Sequence, residues 1–386
     1  MGNIYMNIYT SDKKAVFAAL TDNIQCDVLV IGGGASGLLC AYKLHEKGLK
    51  VVLAEKDLVA SKKTAYNCGM VFGIGSPACN GKIAEDMKIY SDSFSALRRI
   101  SEVVGDNTFR DVKALYYTED FSQNAFSKMR QEYRSRFFSG EKCTFLTWKD
   151  GMKLYSFNMA SGILTNSAAQ QNPVVFCEKT ADYLTLKGVE IYENTEISGV
   201  CRLSENQKFL STTRNGSEII SSVVVDCRGS DEICLTDKHE HKLKTVYYLT
   251  TKPVKEFTGW YCGSIITDDC KMPLYLRTDE KNRIIMTLWS GSFLRKVGSF
   301  YDEYMYRYQE KLLRSMFFGI KDIEIDDFGK FDSRLPRNNI CGAKEDSSLK
   351  GFFYICSGNT VGLQDSEIMA EKIAESAVNF LTKANI

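Results

Sequence analysis

Three glycines spaced Gly32-x-Gly34-x-x-Gly37 follow directly on the apolar run Asp27 to Ile31, and Glu55 stands 23 positions after Gly32 at the end of a second apolar run. Between a strand and a helix each type answers a physical need. Gly32 permits a tight turn, Gly34 lets backbone approach a pyrophosphate, and Gly37 lets the helix pack closely on the strand. Ala35 and Ser36 lie where the helix opens, and its free amides and partial positive charge attract an anion. Glu55, with Lys56 beside it, is placed to accept hydrogen bonds from ribose hydroxyls, and an acid here disfavours a 2′-phosphate. These residues fit the ADP half of FAD or NAD, and the motif by itself does not choose between them.

The elements that position them read as a βαβ unit: strand Asp27 to Ile31, helix Ser36 to Lys47 closed by Gly48, and strand Lys50 to Ala54. Leu38, Ala41 and Leu44 share the face that packs on the sheet. Ile83 to Phe138 reads as helices separated by polar turns, and Asn172 to Gly188 as a helix with Pro173 at its start. Short β runs fill Val189 to Gly229, with Asn215-Gly216 as a two-residue hairpin turn. A second β-rich stretch, Thr245 to Trp289, folds back about Asp279 to Asn282. Tyr301 to Phe318 reads as a helix, and the chain closes with a strand in Gly351 to Gly358 and a helix from Asp365 striped by Met369, Ile373, Ala377 and Leu381. The pattern predicts an α/β fold. A Rossmann-like dinucleotide domain, discontinuous in sequence, is expected from residues 26–80, 165–235 and 330–386. A β-sheet-rich substrate domain from 81–164 and 236–329 caps it, after an extension over 1–25.

Composition narrows the function classes. Lysine plus arginine (49) nearly balance aspartate plus glutamate (48), so no global field draws in nucleic acid or an anionic membrane. Thirteen cysteines without a Cys-x-x-Cys pair fit free thiols in a reducing compartment, and the three histidines have no metal-ligand spacing. The chain reads as a cytoplasmic protein with no bound metal, no transmembrane segment and no nucleic-acid partner.

Four further segments stand in a fixed order: "VASKKTAYNCGMVFGIG" (Val59 to Gly75), a loop, helix and strand over Ala160 to Val200, "VVVDCRGS" (Val223 to Ser230), and Arg334 to Glu375 with its "SGNTVGL". With the glycine turn they resemble the FAD-dependent oxidoreductases of the D-amino-acid oxidase superfamily, most of all the branch of glycine oxidase, sarcosine oxidase and gamma-glutamylputrescine oxidase. The resemblance implies FAD as cofactor. It implies that Thr64, Ala65, Asn67, Cys68 and Gly69 lie beneath the flavin, Ile197 near the adenine, and Cys227 and Gly229 in a turn near the cofactor. Gly358, Asn359, Thr360, Val361, Gly362 and Leu363 would present amides to the flavin ahead of the last helix. It also implies oxidation of a carbon–nitrogen bond in a small amine or amino acid, by hydride transfer to flavin N5, giving an imine that hydrolyses.

The chain departs from these relatives at two positions. Where sarcosine-oxidising enzymes carry a substrate-binding lysine in the closing glycine loop, Gly362 stands. Where a second lysine is associated with oxygen activation, Met286 or Thr287 falls. Neither position holds a cation, which puts in question both a simple N-methyl amino acid substrate and oxygen as electron acceptor. A flavin dehydrogenase serving a protein or quinone, and a non-catalytic flavin-binding subunit, stand as alternatives. Arg277, Arg334 and Arg337 are the candidate cations for substrate, and no catalytic residue is assigned.

Overall fold

The computed structural model describes residues 16–73, 83–203, 208–228, 241–270, 273–290, 299–336, 342–356 and 362–384. Two sheets organise the chain. In the first, β1 (Ile24–Ile31), β2 (Val51–Ala54), β7 (Glu190–Tyr192), β10 (Glu218–Asp226) and β17 (Phe352–Cys356) run parallel in the order β17-β10-β1-β2-β7, with β16 (Gly342–Glu345) antiparallel at the β17 edge. The first half of β10 pairs antiparallel with β9 (Phe209–Thr213), which carries β8 (Ile197–Arg202).

Strands covered on both faces are apolar at successive positions instead of alternating with polar ones. Val28 and Val30 face a core shared with α1 (Ala35–Glu46), α5 (Pro173–Leu186) and α7 (Leu363–Ala384), while Leu29 and Ile31 face Phe209 and Ile219. Leu38, Ala41 and Leu44 are fully buried, as the helical pattern requires.

The second sheet has β3 (Met70–Phe72), β4 (Arg110–Thr118), β5 (Cys143–Thr147), β6 (Ser161–Gln170), β11 (His241–Thr251), β12 (Ile265–Asp268), β13 (Leu274–Thr278), β14 (Ile284–Ser290) and β15 (Ile325–Pro336). Their order is β15-β11-β14-β13-β12-β4-β6-β3, with β5 also on β6, and only β12 with β4 is parallel. One face packs Leu249, Leu276 and Met286 against Met305 and Leu313 of α6 (Ser299–Met316). Of the remaining helices, α2 (Ile83–Val104) joins the first core through Leu97 and Ile100, and α3 (Gln123–Phe138) and α4 (Trp148–Leu154) flank β5.

The helix expected over Asn172 to Gly188 forms as α5, with the Asn172 side chain accepting from the Val174 and Val175 N–H groups at 3.1 and 3.3 Å. The Asn215-Gly216 hairpin also forms, pairing Thr212 with Glu218. Two expectations fail. Ile83 to Phe138 is not all helix, because β4 runs between α2 and α3. Leu115 and Tyr117 enter one core and Ala114 another, so the polar alternation that marks a half-exposed strand is missing. The loop expected from Ala160 is β6, whose Gly162, Ala168 and Ala169 carry little β propensity. Small residues are needed there, since a Cβ on Gly162 would stand 3.1 Å from Leu115 Cδ1.

Candidate functional site

At the end of β1, Gly32 (φ +108°) donates its N–H to the Ala54 carbonyl at 2.8 Å and turns the chain off the sheet. Gly37 admits no side chain, because a Cβ there would stand 1.8 Å from the Gly32 carbonyl oxygen. Gly34 caps α1 without a side-chain hydrogen bond, and no acidic residue lies in the first turn, which leaves the positive helix end for an external anion. Thr64 Oγ1 accepts from the Ala35 N–H at 3.0 Å and fixes the next segment against this turn.

Glu55 is 8% exposed and accepts from the Gly33 N–H at 2.6 Å through Oε2 and from the Asp57 N–H at 2.8 Å through Oε1. Burial pushes its carboxyl above the usual range, against the pull of those two amides. Each oxygen keeps a lone pair for a hydroxyl donor. Lys56 is exposed beside it.

The N-terminus of α7 arrives at the same place, with Ser366 Oγ 2.9 Å from Ser36 Oγ of α1. Gln364 ties that end to β3: its Oε1 accepts from the Phe72 N–H at 2.7 Å, and its Nε2 donates to the Phe72 and Tyr90 carbonyls at 2.5 and 3.2 Å. Asp365 accepts from Tyr90 Oη at 2.9 Å; burial pushes its carboxyl up, opposed by that bond and by the Gly362 N–H. Lys43 clamps α1 to α7 through Glu367 at 2.9 Å and Glu371 at 2.6 Å. Burial works against the Lys43 charge, but hydrogen bonds to Glu371 and Glu367 outweigh it and hold the ammonium above its ordinary pKa. Motif reading missed Gln364, Asp365 and Ser366, which no local pattern marks. For Lys43, a cation inside an apolar helical stripe was the available signal.

A 3-10 turn at Lys63–Tyr66 buries Thr64 and Ala65 next to α1. Asn67 Oδ1 then accepts from the Gly69 N–H at 2.8 Å. Gly69 has φ +64°, and a Cβ on it would stand 2.0 Å from the Gln171 carbonyl oxygen, so this backbone is pressed against β6. Arg277, only 1% exposed, donates through Nε to the Cys68 carbonyl and through Nη1 to the Thr278 carbonyl at 3.0 Å. Burial pushes the Cys68 thiol up, and the Arg277 charge opposes it.

Arg277 shares a sheet face with an aromatic set. Tyr248 pairs with Thr287 and Thr287 with Tyr275, while Val246 pairs with both Trp289 and Phe331, and alternate residues along each strand share a face. Tyr66 stacks on Phe331 at 5.4 Å and lies 6.4 Å from Tyr248, so this face looks toward the 3-10 turn. Of the two candidates at the lysine position, Thr287 is on this face and Met286 is in the opposite core with α6.

The structure places some of the remaining expected residues, and others are not described. Cys227 sits under the glycine turn, its N–H on the Ile31 carbonyl at 2.8 Å and its Sγ 3.9 Å from Cys40 Sγ. Ile197 is buried among Phe209, Ile219 and Val224, on the sheet face away from α1. Gly362 and Leu363 open α7, and Arg334 pairs with Leu243 through the β15 backbone. Gly229, Arg337 and Gly358, Asn359, Thr360 and Val361 lie outside the described residues.

A glycine turn under a helix end free of acidic residues, a buried acid at the end of the second strand and a second helix end beside the first belong to a Rossmann-like α/β sheet packed with a second, mixed sheet. The chain belongs to the FAD-dependent oxidoreductase family, whose model matches residues 27–376, and its cofactor is FAD. It is 25% identical over 202 residues to a putative Rieske 2Fe-2S iron–sulfur protein of Bacillus subtilis, a match that takes in 48% of this chain and only 37% of that relative. Its fold is similar to that of L-amino acid deaminase from Proteus myxofaciens, with a TM-score of 0.78 and 13% identity over 97% of this chain and 94% of that one. It is also similar to glycine oxidase from Bacillus cereus, with a TM-score of 0.72 and 15% identity over 92% and 95%. Among the described residues no helix is long and apolar enough to cross a membrane.

Proposed function

We propose that the protein oxidises a carbon–nitrogen single bond of an amine or amino acid and releases an imine that hydrolyses. Bound FAD supplies the two-electron acceptor for the hydrogen on the carbon beside nitrogen. The observation that carries this reading is the convergence of two helix N-termini, α1 and α7, at the Ser36 to Ser366 contact of 2.9 Å. In this reading the α1 end, with Gly32, Gly34 and Gly37, holds the pyrophosphate, and Glu55 holds the ribose. The α7 end would offset negative charge that develops on the cofactor, and Thr64 to Gly69 would help to hold it. Tyr248, Tyr275, Trp289 and Phe331 shield the reacting carbon from water. Arg277 acts by fixing the Cys68 to Gly69 backbone. The deaminase and glycine oxidase that share the fold have amino acids in their names, which supports the substrate class. Anaerobic mixing of the holoenzyme with a panel of amines and amino acids tests it: a substrate bleaches the visible flavin band, and a panel that leaves the band intact contradicts it.

A second reading concerns the acceptor. Thr287 on the aromatic face offers no cation to reduced oxygen species, and a relative over 202 residues is a putative iron–sulfur protein, so electrons leave to a protein or quinone acceptor. Rapid reoxidation in air with stoichiometric peroxide would remove that option.

A further inference from the structure

The other end of α7 forms a separate feature. Together with β8, β10, β16 and β17 it borders an open groove of about 900 Å³ lined by Arg202, Lys208, Lys344, Lys350, Lys372 and Lys383. The whole chain carries a net charge of only +1, so six cations at one concavity are a local concentration. Glu345, the acidic lining residue, is engaged: its Oε1 accepts from the Gly351 N–H at 2.9 Å, and its Oε2 lies 3.7 Å from Lys350 Nζ. Among the described residues Lys344, Lys372 and Lys383 have no carboxylate partner. Arg202 is held in place, donating through Nη1 to the Lys350 carbonyl at 2.7 Å with its guanidinium 5.4 Å from the Phe209 ring centre. Phe353, Ile373 and Phe380 form an apolar floor. Lys372 to Lys383 lie roughly 14 to 30 Å along the helix from Leu363, away from the glycine turn.

We propose that this groove binds a soluble phosphate-chain anion, a nucleoside polyphosphate or inorganic polyphosphate, at a site distinct from that of FAD. Its volume is that of a small-molecule site, and converging lysines act on phosphates as point charges. Ser222, Ser376 and Asn379 add polar groups for orientation. A bilayer surface fits less well, because among the described residues none of the large exposed apolar side chains lines the groove.

Calorimetric titration of the FAD-saturated holoenzyme with ATP and with inorganic tripolyphosphate, at low and at high salt, tests this. Saturable binding that weakens with salt, without loss of flavin absorbance, is expected. The exposed Lys344→Glu/Lys372→Glu variant should bind at least about tenfold more weakly while keeping its flavin content. ATP binding more tightly than tripolyphosphate assigns the nucleotide source, equal affinities assign the inorganic one, and both support the site. Absence of binding by either probe, unchanged affinity in the variant, or binding only to phosphatidylglycerol vesicles would overturn it.

Discussion

Arg277→Met removes the guanidinium from the junction of β13 with the Cys68 to Gly69 segment while keeping a long apolar stem. Arg277 is 1% exposed and serves two backbone carbonyls, of Cys68 and Thr278. Hydrogen bonds to a charged donor contribute about 1.5–3 kcal/mol each, and an orphaned buried carbonyl costs about 1–3 kcal/mol. Partial compensation by methionine packing leaves a loss of about 3–5 kcal/mol. Over 386 residues the unfolding entropy is about 0.8 kcal/mol per degree, so the holoenzyme melting temperature should fall by about 4–6 °C. The same variant should hold FAD less tightly, because Gly69 is fixed between Arg277 and the Gln171 carbonyl. Arg277→Lys, which keeps the charge but not the fork, should fall between wild type and the methionine variant. Thermal melts at saturating FAD and a fluorescence titration of the apoprotein read both effects. A shift under about 1 °C with unchanged FAD affinity would refute the positioning role.

Gly37→Ala forces α1 off the turn, since the new Cβ would stand 1.8 Å from the Gly32 carbonyl oxygen. Overpacking costs about 1–3 kcal/mol, and the flavin-to-protein absorbance ratio should drop well below that of wild type. Lys43→Met leaves Glu367, 5% exposed, without its cation and should cost about 3–5 kcal/mol in denaturant unfolding, most of it recovered by adding Glu367→Gln. Asp365 has a folded-state pKa raised by burial above 3.8, so the stability it contributes is present below that value and is lost as pH rises through the folded one. The unfolding free energy of Asp365→Asn should therefore fall less than that of wild type as pH is raised from about 4 to about 7.

The first helix and its glycine turn were legible because one short segment carries both the hydrophobic period and the glycine spacing that the turn requires. The closing helix was legible from its stripe of Met369, Ile373 and Ala377, all of them buried. β4 and β6 were not: both are interior strands of the second sheet, the Ala114 to Tyr117 half of β4 enters cores on both faces, β6 is rich in small residues, and tertiary pairing instead of local pattern makes them strands. The site shows the same division. Glu55 could be placed from its distance to Gly32, since a βαβ unit has a narrow range of lengths. Gln364 bridging both polar groups of Phe72 could not, because its partner is 292 residues away in sequence. Arg277 was singled out as a cation for substrate, and its burial against the Cys68 carbonyl depends on a contact across 209 residues.

An anaerobic single turnover with product analysis tests the central claim most directly. For each flavin reduced by the best substrate of the amine and amino-acid panel, one carbonyl compound and one equivalent of ammonia or primary amine should appear after quenching in water. Flavin reduction that leaves the carbon–nitrogen bond intact would contradict the account.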